Sequence, residues 1–130
     1  MARVLTADDD ATTRALLRYV LEQQGHQVYE TEDGASALTA ARDLNPDLVI
    51  LDMHMPVLSG NEVCRSLRST PDVAGVPVIL LTADADFPDA RANACLAKPF
   101  SPAELVGLVQ QLLSGAPADA RPGPGAVRER

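Results

Sequence analysis

Four of the apolar runs in this chain are followed directly by residues that could do chemistry. They are Asp8-Asp9-Asp10, Asp52, Thr82-Ala83 and Lys98-Pro99-Phe100. Clustered carboxylates repel one another unless a cation lies between them, and oxygen ligands of this kind select Mg²⁺. A carboxylate is also a nucleophile that can take a phosphoryl group as an acyl phosphate, and this transfer needs mostly alignment and neutralisation of charge. If the fold brings these groups together, their residue types indicate metal-assisted phosphoryl chemistry.

The spacing of apolar residues predicts the elements that would position these groups. Short apolar runs occur at Val4–Ala7, Val28–Tyr29, Leu48–Leu51, Val76–Leu81 and Ala94–Ala97. Segments with helical spacing separate them, and the last helix opens with a capping box from Ser101 to Glu104. This alternation predicts an α/β fold, a doubly wound five-stranded parallel sheet with helices on both faces. In such a sheet ligands bind beyond the carboxyl ends of the strands, which is where the four polar groups would lie.

Composition limits the domain count and the class of protein. The chain has 130 residues, of which 46% are apolar, and this is enough for one domain with its own core. We expect that domain at residues 1–114, because residues 115–130 are rich in proline and glycine and predict a disordered tail or linker. The longest apolar stretch, residues 76–83, is too short to span a membrane. Acids at residues 8–10 interrupt any signal peptide, so we expect a cytoplasmic protein.

Taken together, the strand-end motifs resemble the receiver domain of two-component response regulators. The motifs are Asp8-Asp9, Asp52 with Pro56 and Gly60 at fixed spacing, Thr82-Ala83 and Lys98-Pro99-Phe100, and the resemblance covers about residues 3–114. It implies a flavodoxin-like fold with strand order 2-1-3-4-5. It also implies a phosphorelay switch rather than an enzyme, although one that catalyses its own phosphorylation and dephosphorylation.

The resemblance further implies a role for individual residues. Asp52 is the implied phosphoacceptor. The implied ligands of Mg²⁺ are Asp8, Asp9, Asp52 and the backbone carbonyl of His54. The implied contacts of the phosphoryl group are Thr82, Ala83 and Lys98, and the peptide bond before Pro99 is implied to be cis.

The partners follow from the same resemblance and from charge. The implied phosphoryl donor is a sensor histidine kinase or a phosphotransfer protein, and the implied target is a downstream protein effector. The net charge of −7 argues against binding to nucleic acid, and nothing after residue 114 resembles a DNA-binding domain. We therefore expect no direct nucleic-acid partner, and no membrane partner.

Two features depart from the family pattern. The segment between Thr82 and Lys98 is shorter than usual, and Pro88 cannot sit inside a helix, so we expect the fourth helix of the family, within residues 86–93, to be shortened or irregular. Cys95 stands where the family usually has a tyrosine or phenylalanine that moves when the threonine engages the phosphoryl group. This altered switch position leads to the hypothesis that the output signal does not use the family's customary face, which is formed by the fourth helix, the fifth strand and the fifth helix.

Other readings of these residues stay open at this point. Asp10 could cap the first helix rather than bind a metal. Cys95 could be a redox sensor, although it lacks the basic neighbour that would lower its pKa. The whole chain could be an interaction module that retains the pocket but works without phosphorylation. An aspartate-nucleophile phosphohydrolase is a third class, but that fold needs a second acid where this chain has His54.

Overall fold

The computed structural model describes residues 1–83 and 92–115 of the 130-residue chain. Five parallel strands form one sheet in the order β2-β1-β3-β4-β5. The strands are β1 (Arg3–Ala7), β2 (Gln27–Thr31), β3 (Leu48–Asp52), β4 (Val78–Thr82) and β5 (Ala94–Ala97). The helices are α1 (Ala11–Gln23), α2 (Gly34–Leu44), α3 (Gly60–Arg68) and α4 (Pro102–Leu113), and a short 3₁₀ helix covers Pro71–Val73. The predicted α/β class and the order 2-1-3-4-5 are confirmed.

The helix boundaries follow from side chains that satisfy the free backbone groups at each end. Two of the helices begin with a capping box, in which Ser59 pairs with Glu62 at the start of α3 and Ser101 pairs with Glu104 at the start of α4. Helix α2 ends at Leu44, and its C-cap Asn45 has a φ of 47°, in the left-handed region that a helix C-terminus often uses. The capping box predicted from residues 101–104 is therefore confirmed.

Alternate residues of the central strands face opposite sides of the sheet and build two separate cores. The first core joins the sheet to α2 and α3, through Leu5, Val49, Leu51, Val78, Leu80, Ala37, Ala41, Val63, Cys64 and Leu67. The second joins it to α1 and α4, through Val4, Leu48, Ile50, Ile79, Leu81, Leu17, Val20, Leu21, Leu105 and Val109. Every residue of β3 and β4 is buried, because helices cover both faces of the sheet. This packing holds the carboxyl ends of the strands at one common edge.

Two predicted features fall outside the described residues. The shortened or irregular helix was expected within residues 86–93, of which the structure describes only 92 and 93. The predicted tail or linker at 115–130 is described only at Gly115. Within the described ranges, none of the helices has the length and hydropathy needed to cross a bilayer.

Candidate phosphoryl and metal site

Strand pairing brings two of the predicted acids together. Strands β1 and β3 are paired with Ala7 opposite Leu51. Asp8 and Asp52 are the next residues along these two segments, so they lie beside each other. One carboxylate oxygen from each of Asp8, Asp9 and Asp52 lies within 4.8 Å of the other two. Asp8 and Asp52 are buried, at 0% and 5% exposure, whereas Asp9 is exposed. The cluster therefore combines two buried acids with one that is open to solvent.

Lys98 places its ammonium group between the two buried carboxylates. Its Nζ lies 2.9 Å from Asp8 Oδ2 and 3.4 Å from Asp52 Oδ1. The residue follows β5 directly, and its backbone N–H donates to the carbonyl of Thr82 at 2.7 Å, which extends the pairing of β4 with β5. The next peptide bond, Lys98–Pro99, is cis. The ends of β1, β3, β4 and β5 thus converge on one small volume, as the sequence predicted.

The charges of the site favour the binding of a divalent cation. Burial and the neighbouring charge of Asp8 raise the pKa of Asp52. Burial acts to lower the pKa of Lys98, but its hydrogen bond to Asp8 and the charge of Asp52 outweigh this effect, so the pKa is raised overall. Three carboxylates against one ammonium leave two negative charges in the cluster. All the side-chain donors are oxygens, the type that Mg²⁺ prefers, so the site fits this ion in both charge and donor chemistry.

Asp10 has a different role from the two acids before it. Its carboxylate accepts hydrogen bonds from the backbone N–H groups of Thr12 and Thr13 and from the hydroxyl of Thr13 at 2.7 Å. The hydroxyl of Thr13 and the N–H of Thr12 hold the pKa of Asp10 below its usual value. Asp10 is thus the N-cap of α1, and the capping interpretation left open by the sequence is confirmed.

The loop between β3 and α3 is joined to Asp52 by a hydrogen bond and contains a tight turn. The exposed His54 donates its backbone N–H to Asp52 Oδ1 at 3.3 Å. Val57 has a φ of 73°, and the N–H of Leu58 donates to the carbonyl of Pro56 at 2.9 Å. This is a γ-turn of the strained, positive-φ kind.

Gly60 closes that loop. Its N–H donates to the carbonyl of Met53 at 3.0 Å. An added Cβ at this position would lie 2.5 Å from the carbonyl oxygen of Asp52 and 3.0 Å from Cα of Met53. The first turn of α3 therefore packs directly against the backbone that carries Asp52.

The remaining predicted residues lie around the site. Thr82 is buried at the end of β4, next to Leu81, which is paired with Asp52. Ala83 follows it and is exposed. Cys95 is half-buried on β5 and packs against the core shared with α2 and α3. Burial and the neighbouring Cys64 raise the pKa of Cys95 to about 11, which is opposite to the lowered pKa of redox-sensing thiols.

Arg14 is a residue of the site that the sequence interpretation missed. Its Nη1 donates to the carbonyl oxygen of Asp8 at 2.7 Å, and its side chain is 15% exposed. One sequence signal could have indicated it: a cation in the second turn of α1 opposes the helix dipole. Such a cation needs a partner that the helix itself does not supply.

Curated proteins with similar sequences are response regulators. The chain is 42% identical over 117 residues to the DNA-binding response regulator MtrA of Mycobacterium tuberculosis (strain ATCC 25618 / H37Rv), in an alignment that covers 85% of this chain and 50% of MtrA. It is 39% identical over 131 residues to the response regulator MprA of Mycobacterium sp. (strain KMS), which covers 96% of this chain and 56% of MprA. The chain thus spans about half the length of the curated relatives it matches.

These relatives correct the prediction about nucleic acid. We expected no direct nucleic-acid partner, and this expectation is wrong, because the MtrA proteins are named as DNA-binding response regulators. The physical reason is that a net charge bears only on the residues that are counted in it. The net charge of −7 belongs to these 130 residues, and it does not constrain the charge of a surface carried elsewhere in chains about twice as long.

A solved structure and a family model agree with the curated relatives. The fold matches the receiver domain of the sensor histidine kinase PA1611 from Pseudomonas aeruginosa PAO1, a structure with a magnesium ion coordinated in its active site cleft. That match has a TM-score of 0.82 and 30% identity, and it covers 87% of this chain and 98% of the other. The model of the response regulator receiver domain matches residues 4–110. The chain belongs to the response regulator receiver domain family.

Proposed function

We propose that this chain is the phosphoacceptor receiver of a cytoplasmic two-component phosphorelay, phosphorylated on Asp52 by a histidine kinase or a phosphotransfer protein. The observation that carries the proposal is the cluster at the carboxyl edge of the sheet. In it, Lys98 contacts both Asp8 and Asp52 while Asp9 completes a set of three close carboxylates. The charge and donor atoms of this cluster suit a phosphoryl group and a magnesium ion better than they suit a structural ion pair.

The chemistry assigned to Asp52 is nucleophilic attack on phosphorus. A carboxylate oxygen of Asp52 forms the new O–P bond, the P–N bond of the donor phosphohistidine breaks, and its electron pair returns to the imidazole nitrogen. Oδ1 of Asp52 contacts Lys98 and accepts the N–H of His54, so Oδ2 is the better placed oxygen for attack. Hydrolysis then reverses the state, because water attacks the acyl phosphate and releases inorganic phosphate.

The other residues of the site bind and neutralise charge. Asp8, Asp9 and Asp52, with the carbonyl of His54, would hold Mg²⁺, which when bound supplies positive charge to the oxygens of the phosphoryl group. The ammonium of Lys98 moves from its carboxylate partners toward the phosphoryl oxygens. The hydroxyl of Thr82 and the N–H of Ala83 donate hydrogen bonds to the same group.

Phosphorylation by a small donor tests the proposal. Incubation with acetyl phosphate and Mg²⁺ should add one phosphoryl group to the intact mass, and Asp52→Asn should abolish the gain. Asp33→Asn is a matched control, since Asp33 caps α2, is not one of the three clustered acids, and asparagine caps equally well. An adduct that persists in Asp52→Asn, or that forms equally well in excess chelator, would overturn the proposal.

The relatives support a proposal for the output of the switch. Because the MtrA proteins are named as DNA-binding, we assign to the phosphorylated domain the control of a DNA-binding output in the longer protein type it matches. A second candidate function is a module that binds its partner without phosphorylation. Cys95 favours it, since a half-buried thiol cannot bury the 150–250 Å² of the aromatic ring expected there. Partner binding that is unchanged in Asp52→Asn would support this second candidate.

A further inference from the structure

We propose that Arg14 is a positioning residue that fixes the Asp8–Asp9 loop and thereby sets the affinity of the acidic cluster for Mg²⁺. This inference rests on the proposed function, since it deepens the role of the same site. Arg14 itself does not belong to the cluster of carboxylates. It acts through the backbone that carries two of them.

Hydrogen bonds hold Asp8 at each of its polar groups. Its N–H donates to the carbonyl of Thr31 at 3.2 Å. Its Oδ1 accepts the N–H of Asp10 at 2.9 Å, and its Oδ2 accepts the ammonium of Lys98 at 2.9 Å. The remaining polar group is the carbonyl, and the guanidinium of Arg14 donates to it at 2.7 Å. Each polar group of Asp8 thus has a partner, and Arg14 supplies the one on the side of Asp9.

The peptide bond between Asp8 and Asp9 couples the positions of the two residues. The carbonyl of Asp8 and the N–H of Asp9 lie in one plane, because the peptide bond between them is planar. A donor that fixes the carbonyl oxygen therefore also fixes the nitrogen from which Asp9 starts. Asp9 is the exposed member of the cluster, so it depends more on its backbone for its direction than the buried Asp8 does.

Two glutamates hold the guanidinium of Arg14. Its Nε lies 3.5 Å from Glu30 Oε1 at the end of β2, and its Nη2 lies 3.8 Å from Glu32. Arg18, one turn further along α1, also pairs with Glu30, at 2.8 Å, but it is 56% exposed. Two neighbouring arginines therefore share a glutamate, and Arg14 is the one that reaches Asp8.

Charge and position predict opposite effects when Arg14 is replaced. If Arg14 mattered only through its positive charge, its removal would make the surroundings of the cluster more negative and would tighten cation binding. If it orients the loop, its removal frees the Asp8–Asp9 peptide and weakens binding, because the carboxylates must then be ordered when the ion binds. The sign of the change in affinity therefore separates the two roles.

The experiment measures Mg²⁺ binding by calorimetry and, separately, the rate of phosphorylation by acetyl phosphate as a function of Mg²⁺ concentration. Arg14→Met keeps most of the apolar stem and removes the guanidinium. We expect its Mg²⁺ affinity to fall on the order of tenfold, the effect of losing a group that orients metal ligands. The half-saturating Mg²⁺ concentration should rise by the same factor, while the rate at saturating Mg²⁺ changes less than about twofold. Arg18→Met is the matched control, and its affinity should stay within about twofold because Arg18 makes no contact with Asp8 among the hydrogen bonds described.

Several outcomes would overturn the inference. An Arg14→Met variant with unchanged or tighter Mg²⁺ binding would do so, and so would one that loses the saturating rate at an unchanged half-saturating concentration. If Arg14→Met does not fold, Arg14→Lys provides the second test. It keeps the positive charge but loses the guanidinium that reaches the carbonyl of Asp8, so it should weaken the affinity in the same direction by a smaller factor. A role of charge alone predicts no shift, and no shift would count against the inference. Failure of the wild-type chain to bind Mg²⁺ or accept a phosphoryl group would reject the proposed function instead.

Discussion

Replacing Gly60 by alanine tests how closely the start of α3 packs against the end of β3, the strand that carries Asp52. The added Cβ would lie 2.5 Å from the carbonyl oxygen of Asp52 and 3.0 Å from both Cα of Met53 and Cδ2 of Leu80. A carbon and an oxygen make ordinary contact at about 3.3–3.6 Å. The helix and the strand would therefore have to separate by about 1 Å, and two of the three opposing atoms are backbone, which cannot rotate away.

The magnitude follows from two opposing contributions. Inserting a methyl group into a filled space costs about 1–3 kcal/mol, whereas alanine is favoured over glycine in a helix by at most about 1 kcal/mol. We expect a net loss of roughly 1–2 kcal/mol, which lowers the Tm by roughly 4–8 °C for a domain of this size. A displacement near 1 Å at the nucleophile slows reactions by up to about 100-fold, so phosphorylation by acetyl phosphate should slow by about 10- to 100-fold.

Thermal denaturation followed by circular dichroism and the rate of phosphorylation are the two measurements. Gly107→Ala is the control, because nothing lies within 4 Å of its added Cβ in the middle of α4. It should raise stability by about 0.5–1 kcal/mol and leave the rate unchanged. The reasoning is refuted if Gly60→Ala melts as high as the wild type and is phosphorylated equally fast.

Two further predictions concern single buried groups. Thr6 is fully buried and its hydroxyl has no hydrogen-bond partner among the described residues, so Thr6→Val should stabilise the fold by about 1–2 kcal/mol in urea unfolding; a loss of stability would show that the hydroxyl is satisfied after all. The thiolate is the reactive form of cysteine, and with the pKa of Cys95 raised from 9.0 to about 11, its alkylation by iodoacetamide at pH 8 should be about 100-fold slower than that of an ordinary thiol. The rate, followed by mass spectrometry of the labelled peptide, should still be rising at pH 10, and a plateau near pH 9 would contradict the raised pKa.

Much of the site was accessible from the sequence because strand ends in a parallel sheet share one edge. The position of polar residues after apolar runs placed Asp8, Asp52 and Lys98 at one edge of the sheet, and the strand order implied by the resemblance made them neighbours; in the structure Lys98 contacts both acids. The role of Asp10 needed the structure, since an acid at that position fits either a cap or a ligand. Its three hydrogen bonds within α1 decide the question.

The features that escaped prediction depend on contacts between separate elements. Arg14 reaches Asp8 from within a helix, and nothing in the periodicity of α1 distinguishes it from Arg18. The close approach of Gly60 to Asp52 depends on how α3 docks on the sheet, which hydrophobic spacing does not specify. The expectation of no nucleic-acid partner failed for another reason, because net charge describes the residues that carry it and not the rest of a longer protein.

The two cores on either side of the sheet have no buried residue in common among those described. The backbone that carries Asp8 runs into α1, which lies over one core, whereas the backbone that carries Asp52 runs toward α3, which lies over the other. The salt bridges of Lys98 to Asp8 and Asp52 link these two segments. A negative group added beside Lys98 would draw its ammonium away from both carboxylates at once. One covalent event would therefore change the packing of the helices on both faces of the sheet.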